Sequence, residues 1–464
     1  MEVSGKKMLV VGLGKSGAAA ALFLKVRGAR VTVSDSKPEE QLGKDIPRLL
    51  EHGIAVETGG HGERTFRDPD MIVVSPGVPP DVPQLAMARE RKVPVIGEVE
   101  LAFRFLRGKT IAITGSNGKT TTTTMVGEVL QKSGMRAQVG GNIGTPVISL
   151  VETSTADTWN VIEVSSFQLE STETFHPRIA VLLNITPDHL DRHGTFDAYV
   201  AAKQKMFANQ TSEDHAVLNA DDAASMASAS ATKAEVWQFS RRAVVARGAY
   251  IADNRIMLRD SQGTAELMPV SEILLKGAHN LENSMAAACA AHLAGCPADS
   301  IRRALHEFKA VEHRLQHVAT IEGVEYYNDS KATNVDATMK ALEAFPKGIH
   351  LILGGKDKGS DYTVLVPLLK QRAKRVYTIG AAAEKIESQL AGAVPIVRVG
   401  TVEAAVRSAA LGAAAGDVVL LAPACASFDQ FENYEHRGRA FTESVKELLG
   451  RKAQPAGMAR EDRG

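Results

Sequence analysis

Short apolar runs rich in valine and isoleucine alternate with helix-period stretches along nearly the whole chain, a pattern that predicts parallel sheets covered by helices. In the first part, Met8–Gly12, Arg30–Ser34 and Met71–Ser75 read as strands, with helical stretches near 16–28, 40–52, 82–92 and 98–107. Pro94 and Gly97 punctuate its end and place a boundary near residue 97. The middle part begins with a buried strand at Thr110–Thr114, followed by strands near 159–164, 179–184 and 215–219. Between about 232 and 275 the pattern becomes shorter and more strand-rich, with turns at Asp253-Asn254 and Gln262-Gly263, and a small antiparallel addition is expected there. An Ala-rich helix over about 280–294 and a second ending near Phe308 close this part. From Val311 onward, His317–Ile321, Val324–Asn328, His350–Gly354, Arg375–Ile379, Ile396–Val399 and Val418–Ala422 read as strands with helices between them. The expected division is therefore 1–97, 98–310 and 311–464, with a disordered tail from about 452.

Composition narrows the classes. The 464 residues carry 54 basic and 54 acidic side chains, so no basic excess exists to hold nucleic acid or an anionic membrane. No apolar run approaches the roughly 20 residues of a membrane helix, and the polar start, Met1–Lys7, does not read as a signal peptide. Cys289, Cys296 and Cys425 lack metal spacing and cannot form a disulfide framework; Cys425 reads as a packed core thiol. These features predict a soluble cytoplasmic protein.

The most informative stretch is Thr110-Ile-Ala-Ile-Thr-Gly115-Ser116-Asn117-Gly118-Lys119-Thr120-Thr121. It reads as a strand, a glycine turn and a helix opening on lysine and threonine. Such a turn aims backbone N–H groups at one spot and adds the helix N-terminus, Lys119 supplies a full cation, and the Thr120 hydroxyl can reach a magnesium ion. That is a triphosphate site. The common pattern has its first glycine where Ile113 stands here, so the loop is short, which is less typical of kinases and GTPases.

Four further constellations fall at strand ends or on one helix. Gly12-Leu-Gly14-Lys15-Ser16-Gly17, with Asp35 closing the next strand, is a dinucleotide-type fingerprint; NAD, another nucleotide diphosphate, or glycines needed only for packing all satisfy it. No arrangement for hydride transfer follows downstream. Glu163 ends an apolar strand and precedes Ser165-Ser166-Phe167-Gln168-Leu169-Glu170, a place for a magnesium carboxylate. Asn184-Ile-Thr-Pro-Asp188-His189-Leu-Asp191-Arg-His193 gathers two histidines and two aspartates, which raises His189 above an ordinary loop histidine. The amphipathic helix Phe196–Phe207 carries Ala201-Ala-Lys203, where spacing alone would never select Lys203. In the last part, His313-Arg314, Asn328-Asp329-Ser330-Lys331-Ala-Thr333-Asn334, Gly354-Gly355-Lys356-Asp357-Lys358 and Pro423-Ala-Cys-Ala-Ser427-Phe-Asp429 collect cations and hydroxyls suited to an anionic substrate.

Taken together, these motifs resemble the Mur ligases of peptidoglycan synthesis over nearly the whole chain, most nearly their D-glutamate-adding branch. Gly140-Gly-Asn142-Ile-Gly, His279-Asn280-Leu-Glu-Asn283 and the motifs above carry the likeness. The family usually has a serine where this chain has Ala422, a change expected to be silent. Ligases adding diaminopimelate or lysine look different in the third unit, and folylpolyglutamate synthetase lacks the first. Another amino-acid specificity, an NAD-dependent oxidoreductase and a nucleotide-binding regulator without catalysis are the alternatives.

The resemblance implies an α/β fold of three domains: a Rossmann-like nucleotide-sugar domain, a central P-loop ATPase-like domain and a C-terminal Rossmann-like domain. It implies an ATP- and Mg2+-dependent carboxylate–amine ligase that joins D-glutamate to UDP-N-acetylmuramoyl-L-alanine through an acyl phosphate, acting as a monomer. Gly115 to Thr121 would hold the phosphates, with Asn280 and Asn283 by the adenine and Asp329 and Arg314 near ribose and phosphate. Thr120 and Glu163 would hold one magnesium, and His189 a second together with Lys203 as a carbamate. Lys15, Ser16, Asp35, Ser36, Ser75, Asn142 and His189 would face the UDP substrate. Lys331 and Lys358 would steady the acyl phosphate and the incoming glutamate, with Thr333, Ser427 and Tyr434 around its carboxylates. Lys119, His189, Lys203, Lys331 and Arg314 form the implied catalytic set. Hinges near 97 and 311 would close the domains before chemistry.

Overall fold

The computed structural model describes residues 1–42, 45–275, 277–309 and 312–453. They fall into two compact units, one of residues 1–274 and 282–308, the other of 275–281 and 309 onward. Position 311 and the tail beyond 453 lie outside the described residues.

The first unit holds two sheets. One contains β1 (Lys7–Val11), β2 (Arg30–Ser34), β3 (Ala55–Glu57), β4 (Met71–Val74) and β5 (Val95–Gly97), all parallel, in the order β3-β2-β1-β4-β5. The order reverses beside β1, so the loops after β1 and β4 diverge and leave a crevice at the carboxyl edge. Three-residue β3 and β5 are too short to show a period, which is why the pattern did not predict them.

The second sheet has nine strands. They are β6 (Lys109–Thr114), β7 (Ala137–Gly141), β8 (Trp159–Glu163), β9 (Ile179–Leu182), β10 (His215–Asn219), β11 (Glu235–Ser240), β12 (Gly248–Ala252), β13 (Arg255–Asp260) and β14 (Gly263–Pro269). Their order is β14-β13-β12-β11-β10-β9-β6-β8-β7, with β6 between β8 and β9. The segment 232–275 departs from expectation. The antiparallel addition is limited to β13 and β14, and β11 and β12 continue the sheet in parallel. Asp253 and Asn254, both at left-handed φ (48° and 58°), form the tight turn that reverses the chain there.

The other unit is built on β15 (Gln316–Ile321), β16 (Val324–Asn328), β17 (Ile349–Gly354), β18 (Ala373–Ile379), β19 (Ile396–Gly400) and β20 (Val418–Leu421). Their order is β15-β16-β20-β17-β18-β19, and all pairs but β15-β16 are parallel. Both faces are covered: Leu351, Leu353 and Leu420 pack into one apolar cluster, Ile352, Val419 and Leu421 into another. The central strands β16, β17, β18 and β20 are largely buried and read as apolar runs, whereas the edge strands β15 and β19 are mostly half-buried.

One buried carboxyl shapes the first unit. Glu98 is 1% exposed and accepts the Ile148 N–H at 2.7 Å through Oε1, while Oε2 is buried without a partner. Burial pushes this group from 4.5 up to about 7. Between those values the native chain keeps the proton and the unfolded chain releases it. The contribution is whole below about 4.5 and is lost as pH rises through about 7, on the order of 3 kcal/mol. The urea-unfolding free energy of the wild type minus that of Glu98→Gln should therefore fall across this window, and a flat difference would contradict the assignment.

Candidate functional site

The first crevice is a cavity of about 570 Å³ lined by Lys15, Ser16, Asp35, Ser36 and Ser75. The helix Lys15–Val26 begins there, its first N–H groups directed into the opening. Asp35 is turned toward the glycine loop: Oδ2 accepts the Leu13 N–H at 2.6 Å and Oδ1 that of Lys37 at 2.9 Å. A side chain at Gly14 would meet open space, whereas a Cβ at Gly17 would stand 1.9 Å from the Gly12 carbonyl. Gly17 thus serves close packing, and the backbone at Gly14 is open. His61, also in the lining, is bound to the Ser34 hydroxyl at 2.8 Å. It follows β3, the strand too short to read, so no sequence signal singled it out. Asn142 is not in this lining; its amide donates to Glu163 Oε1 at 2.8 Å.

In the second sheet, β6 delivers Gly115 to Thr121 to the mouth of the helix Lys119–Lys132. Gly118 is left-handed (φ 86°), and a Cβ there would meet Asn283 Oδ1 at 2.3 Å, so Asn283 lies directly against the loop. The loop is laced to the segment after β9. The Asn117 N–H donates to Asn184 Oδ1 at 2.9 Å, and the Ser116 hydroxyl donates to the Thr186 carbonyl at 2.9 Å beside the Tyr199 hydroxyl. These bonds make the loop a preformed cradle.

Two ammonium groups converge inside it. Lys119 Nζ donates to the Gly115 carbonyl at 2.8 Å and to that of Ser116 at 2.7 Å, and Lys203 Nζ donates to the same Gly115 oxygen at 2.8 Å. Lys203 is 1% exposed, on a helix that ends at Gln204 rather than continuing to Phe207. Burial, then the Lys119 charge, hold its amine well below the ordinary lysine range, against the opposing pull of Asp188 and Glu163. The rule that such a lysine is solvated fails here.

Glu163, 1% exposed at the end of β8, stands beside this pair. The next helix, Ser166–Glu170, is started by a capping box between Ser165 and Gln168, which fixes the turn leaving Glu163. The Thr120 hydroxyl is buried with no hydrogen-bond partner. Among the described residues no cluster of three or more His, Cys, Asp or Glu is placed to hold a metal. His189 has a left-handed backbone (φ 54°) and packs on Phe167, a strained conformation of the kind concentrated at functional loops. His193 is bound instead by Ser166 and Glu170 in a nearly closed site.

In the other unit the strand-end loops of β16, β17 and β20 are tied to one another. Ala424 N–H donates to the Ala332 carbonyl, Gly354 N–H to that of Pro423, and Lys356 and Ala426 exchange both backbone bonds. Lys331 Nζ donates to the Tyr434 hydroxyl at 2.8 Å, with Thr333 on the same loop and Ser427, 2% exposed, on the neighbouring one. Lys358 and Arg314 are half-buried. Burial pushes the Asp329 carboxyl up to about 7, with the Arg314 charge acting against it. Asn280 belongs to this unit. Ala422 is fully buried, its carbonyl accepting the Thr338 hydroxyl.

Comparison with known proteins gives a consistent assignment. Residues 6–97 match the Mur ligase MurD-like N-terminal domain, 113–291 the Mur ligase middle domain, and 313–425 the Mur ligase glutamate ligase domain. The UDP-N-acetylmuramoylalanine–D-glutamate ligase of Koribacter versatilis is 60% identical over 97% of this chain and 99% of its own. That of Acidobacterium capsulatum is 61% identical over 96% and 97%. Among solved structures, the UDP-N-acetylmuramate–alanine ligase of Thermotoga maritima superposes with a TM-score of 0.60 at 20% identity, over 96% of this chain and all of that one. A pseudomurein peptide ligase type C from Methanothermus fervidus gives 0.61 at 21%, with the same coverage. These two likenesses are of fold, a three-domain α/β architecture.

Replacing Gly17 with alanine should destabilise the first unit by about 1–3 kcal/mol, because the new methyl has only backbone and the Ser75 hydroxyl to displace. Urea denaturation measures this, and an unchanged midpoint would contradict the packing role.

Proposed function

The chain belongs to the Mur ligase family and is an ATP-dependent amide ligase of peptidoglycan synthesis, and from that premise we propose that it joins D-glutamate to UDP-N-acetylmuramoyl-L-alanine through an acyl phosphate. The observation that carries the proposal is the pair of lysines at the Gly115 carbonyl beside Glu163, joined to relatives of this stated activity along nearly their full length. Family membership replaces the NAD reading of the Gly12 loop; the crevice beside β1 takes the uridine diphosphate.

A carboxylate oxygen is a poor leaving group, so the muramoyl-alanine carboxylate first takes the γ-phosphoryl group of ATP, releasing ADP. The glutamate amine then attacks the acyl carbon, phosphate departs, and the nitrogen loses a proton. The first step brings an anion against a triphosphate, so charge placement dominates its barrier. Lys119 leaves the loop carbonyls for the β- and γ-oxygens, and the N–H groups of Gly115 to Thr121 hold the phosphates. Lys15, Ser16, Asp35, Ser36 and Ser75 hold the nucleotide sugar.

Magnesium fits the donor set: a partnerless buried Thr120 hydroxyl and the Glu163 carboxylate suit a hard cation that takes few protein ligands and completes its shell with phosphate and water. Bound there, it would neutralise charge on the phosphates. An unprotonated Lys203 amine would add CO2 and lose a proton, giving an anionic carbamate that with His189 would offer oxygen and nitrogen to a second ion. Asn142 acts through Glu163, holding its carboxylate in place. Asn283 and Asn280 face the adenine, and Asp329 and Arg314 the ribose and phosphate. Lys331, Lys358, Thr333, Ser427 and Tyr434 receive the acyl phosphate and the amino acid. The domains are 1–97, 98–310 and 311–464, and the work is cytoplasmic.

Phosphate release from ATP should require both UDP-N-acetylmuramoyl-L-alanine and D-glutamate when a panel of amino acids is offered; release with another amino acid alone would overturn the specificity. Lys119→Ala should lower kcat by about 1,000-fold or more while leaving thermal unfolding unchanged, since it removes a charge positioned for the transferring group. Normal turnover in that variant would contradict the phosphate site.

A further inference from the structure

Beneath the loops of the second unit lies a charged group with no part in the reaction above. Arg437, in the first turn of the helix Tyr434–Ala453, is 1% exposed. Its Nε donates to the Ser330 hydroxyl at 2.9 Å and Nη2 to the Ser330 carbonyl at 2.8 Å. Nη1 donates to the Cys425 carbonyl at 3.1 Å and, at 3.4 Å, to that of Ala426. The Ser330 hydroxyl in turn donates to the Tyr434 carbonyl at 2.8 Å. A Cβ at Gly355 would come within 3.1 Å of Nη1 and 2.3 Å of the Ala426 oxygen, so the Gly354-Gly355 turn also rests on this group. The loops after β16, β17 and β20 therefore meet at one guanidinium.

Every one of these hydrogen bonds goes to a neutral oxygen. Burial draws the group down only to about 10, with the Asp429 carboxylate acting against it from beyond hydrogen-bond reach, so it stays charged at neutral pH. A buried cation whose hydrogen bonds all go to neutral oxygens, with Asp429 acting only through space, is expensive, and bracing three loops does not require a charge. What does is an anionic ligand: the charge acts through a medium of low dielectric on whatever those loops bind.

We propose that Arg437 is a positioning and specificity residue of the amino-acid site: from beneath, its planar fork keeps Lys331, Thr333 and Ser427 in register, and its charge favours a dicarboxylate amino acid over a neutral one. The proposal rests on the ligase reading above and deepens it.

The test uses the full chain and compares wild type with Arg437→Met, Arg437→Lys and Ser330→Ala. KM is measured for D-glutamate, ATP and the nucleotide sugar, alongside selectivity for D-glutamate over D-glutamine and thermal unfolding. Arg437→Met should raise the D-glutamate KM about tenfold or more, the loss expected for a buried charge-assisted bond, and should erode the selectivity. The other two KM values should stay within about twofold, because no bond of Arg437 reaches the residues assigned to those substrates. Arg437→Lys keeps the charge and loses the fork, so its D-glutamate KM should stay raised while part of the selectivity survives. A wild-type D-glutamate KM in either variant overturns the proposal, as does a uniform fall in kcat with all KM values and selectivity unchanged. If Arg437→Met does not fold, Ser330→Ala, which removes the Nε acceptor, should raise the same KM about threefold, and an unchanged value overturns the proposal. If the wild type uses another amino acid, the reaction assignment has failed and the comparison is made with that substrate and its uncharged analogue.

Discussion

Two ammonium groups sharing one carbonyl oxygen are the constraint on which the phosphate site depends. Lys119 and Lys203 both reach Gly115, and Lys203 does so from a position closed to water. Two full charges so placed repel strongly, because little solvent lies between them to screen the interaction. The more deeply buried amine, Lys203, is the one held well below the ordinary lysine range, first by burial and then by the Lys119 charge. Burial and the neighbouring charge thus ease proton loss from Lys203 beside Glu163. Ser116, Asn117, Asn184 and Tyr199 hold that loop from the side, so it cannot relax by moving apart.

The same economy recurs in each sheet. Parallel strands buried on both faces leave only their ends for chemistry, and each order reversal opens a gap between neighbouring loops. Beside β1 the gap is lined by small residues and bare backbone, fit for a diphosphate. Around β6 it holds two lysines, a carboxylate and a partnerless hydroxyl. After β16, β17 and β20, backbone bonds between the loops hold Lys331, Thr333 and Ser427 on a common support. Catalysis between anions asks for cations set in place before the reactants arrive, and rigid strand ends supply that.

Much of this was legible because it is local. A strand, a glycine turn and a helix opening on Lys119-Thr120 are one continuous segment, and Glu163 closes an apolar run that announces itself. Lys203 is different: its helix has an ordinary amphipathic pattern, and its burial comes from residues distant in sequence. Arg437 was missed for the same reason, since a charged residue in a helical pattern reads as solvated. Three-residue β3 and β5 show no period, and β7 (Ala137–Gly141) ends in two glycines that read as a turn. Of the antiparallel addition read after residue 232, β13 and β14 are antiparallel while β11 and β12 are parallel, because turn chemistry reports a reversal but not which sheet edge the strands join. The bond from the Asn142 amide to Glu163 had no sequence signal, since the two residues lie at different strand ends.

The most direct test of the lysine pair is carbon NMR of the protein equilibrated with 13C-labelled bicarbonate. A slowly exchanging carbamate resonance, present in the wild type and absent from Lys203→Arg, is the predicted result. A fully active protein with no such resonance would show that Lys203 works without a carbamate and would contradict the account.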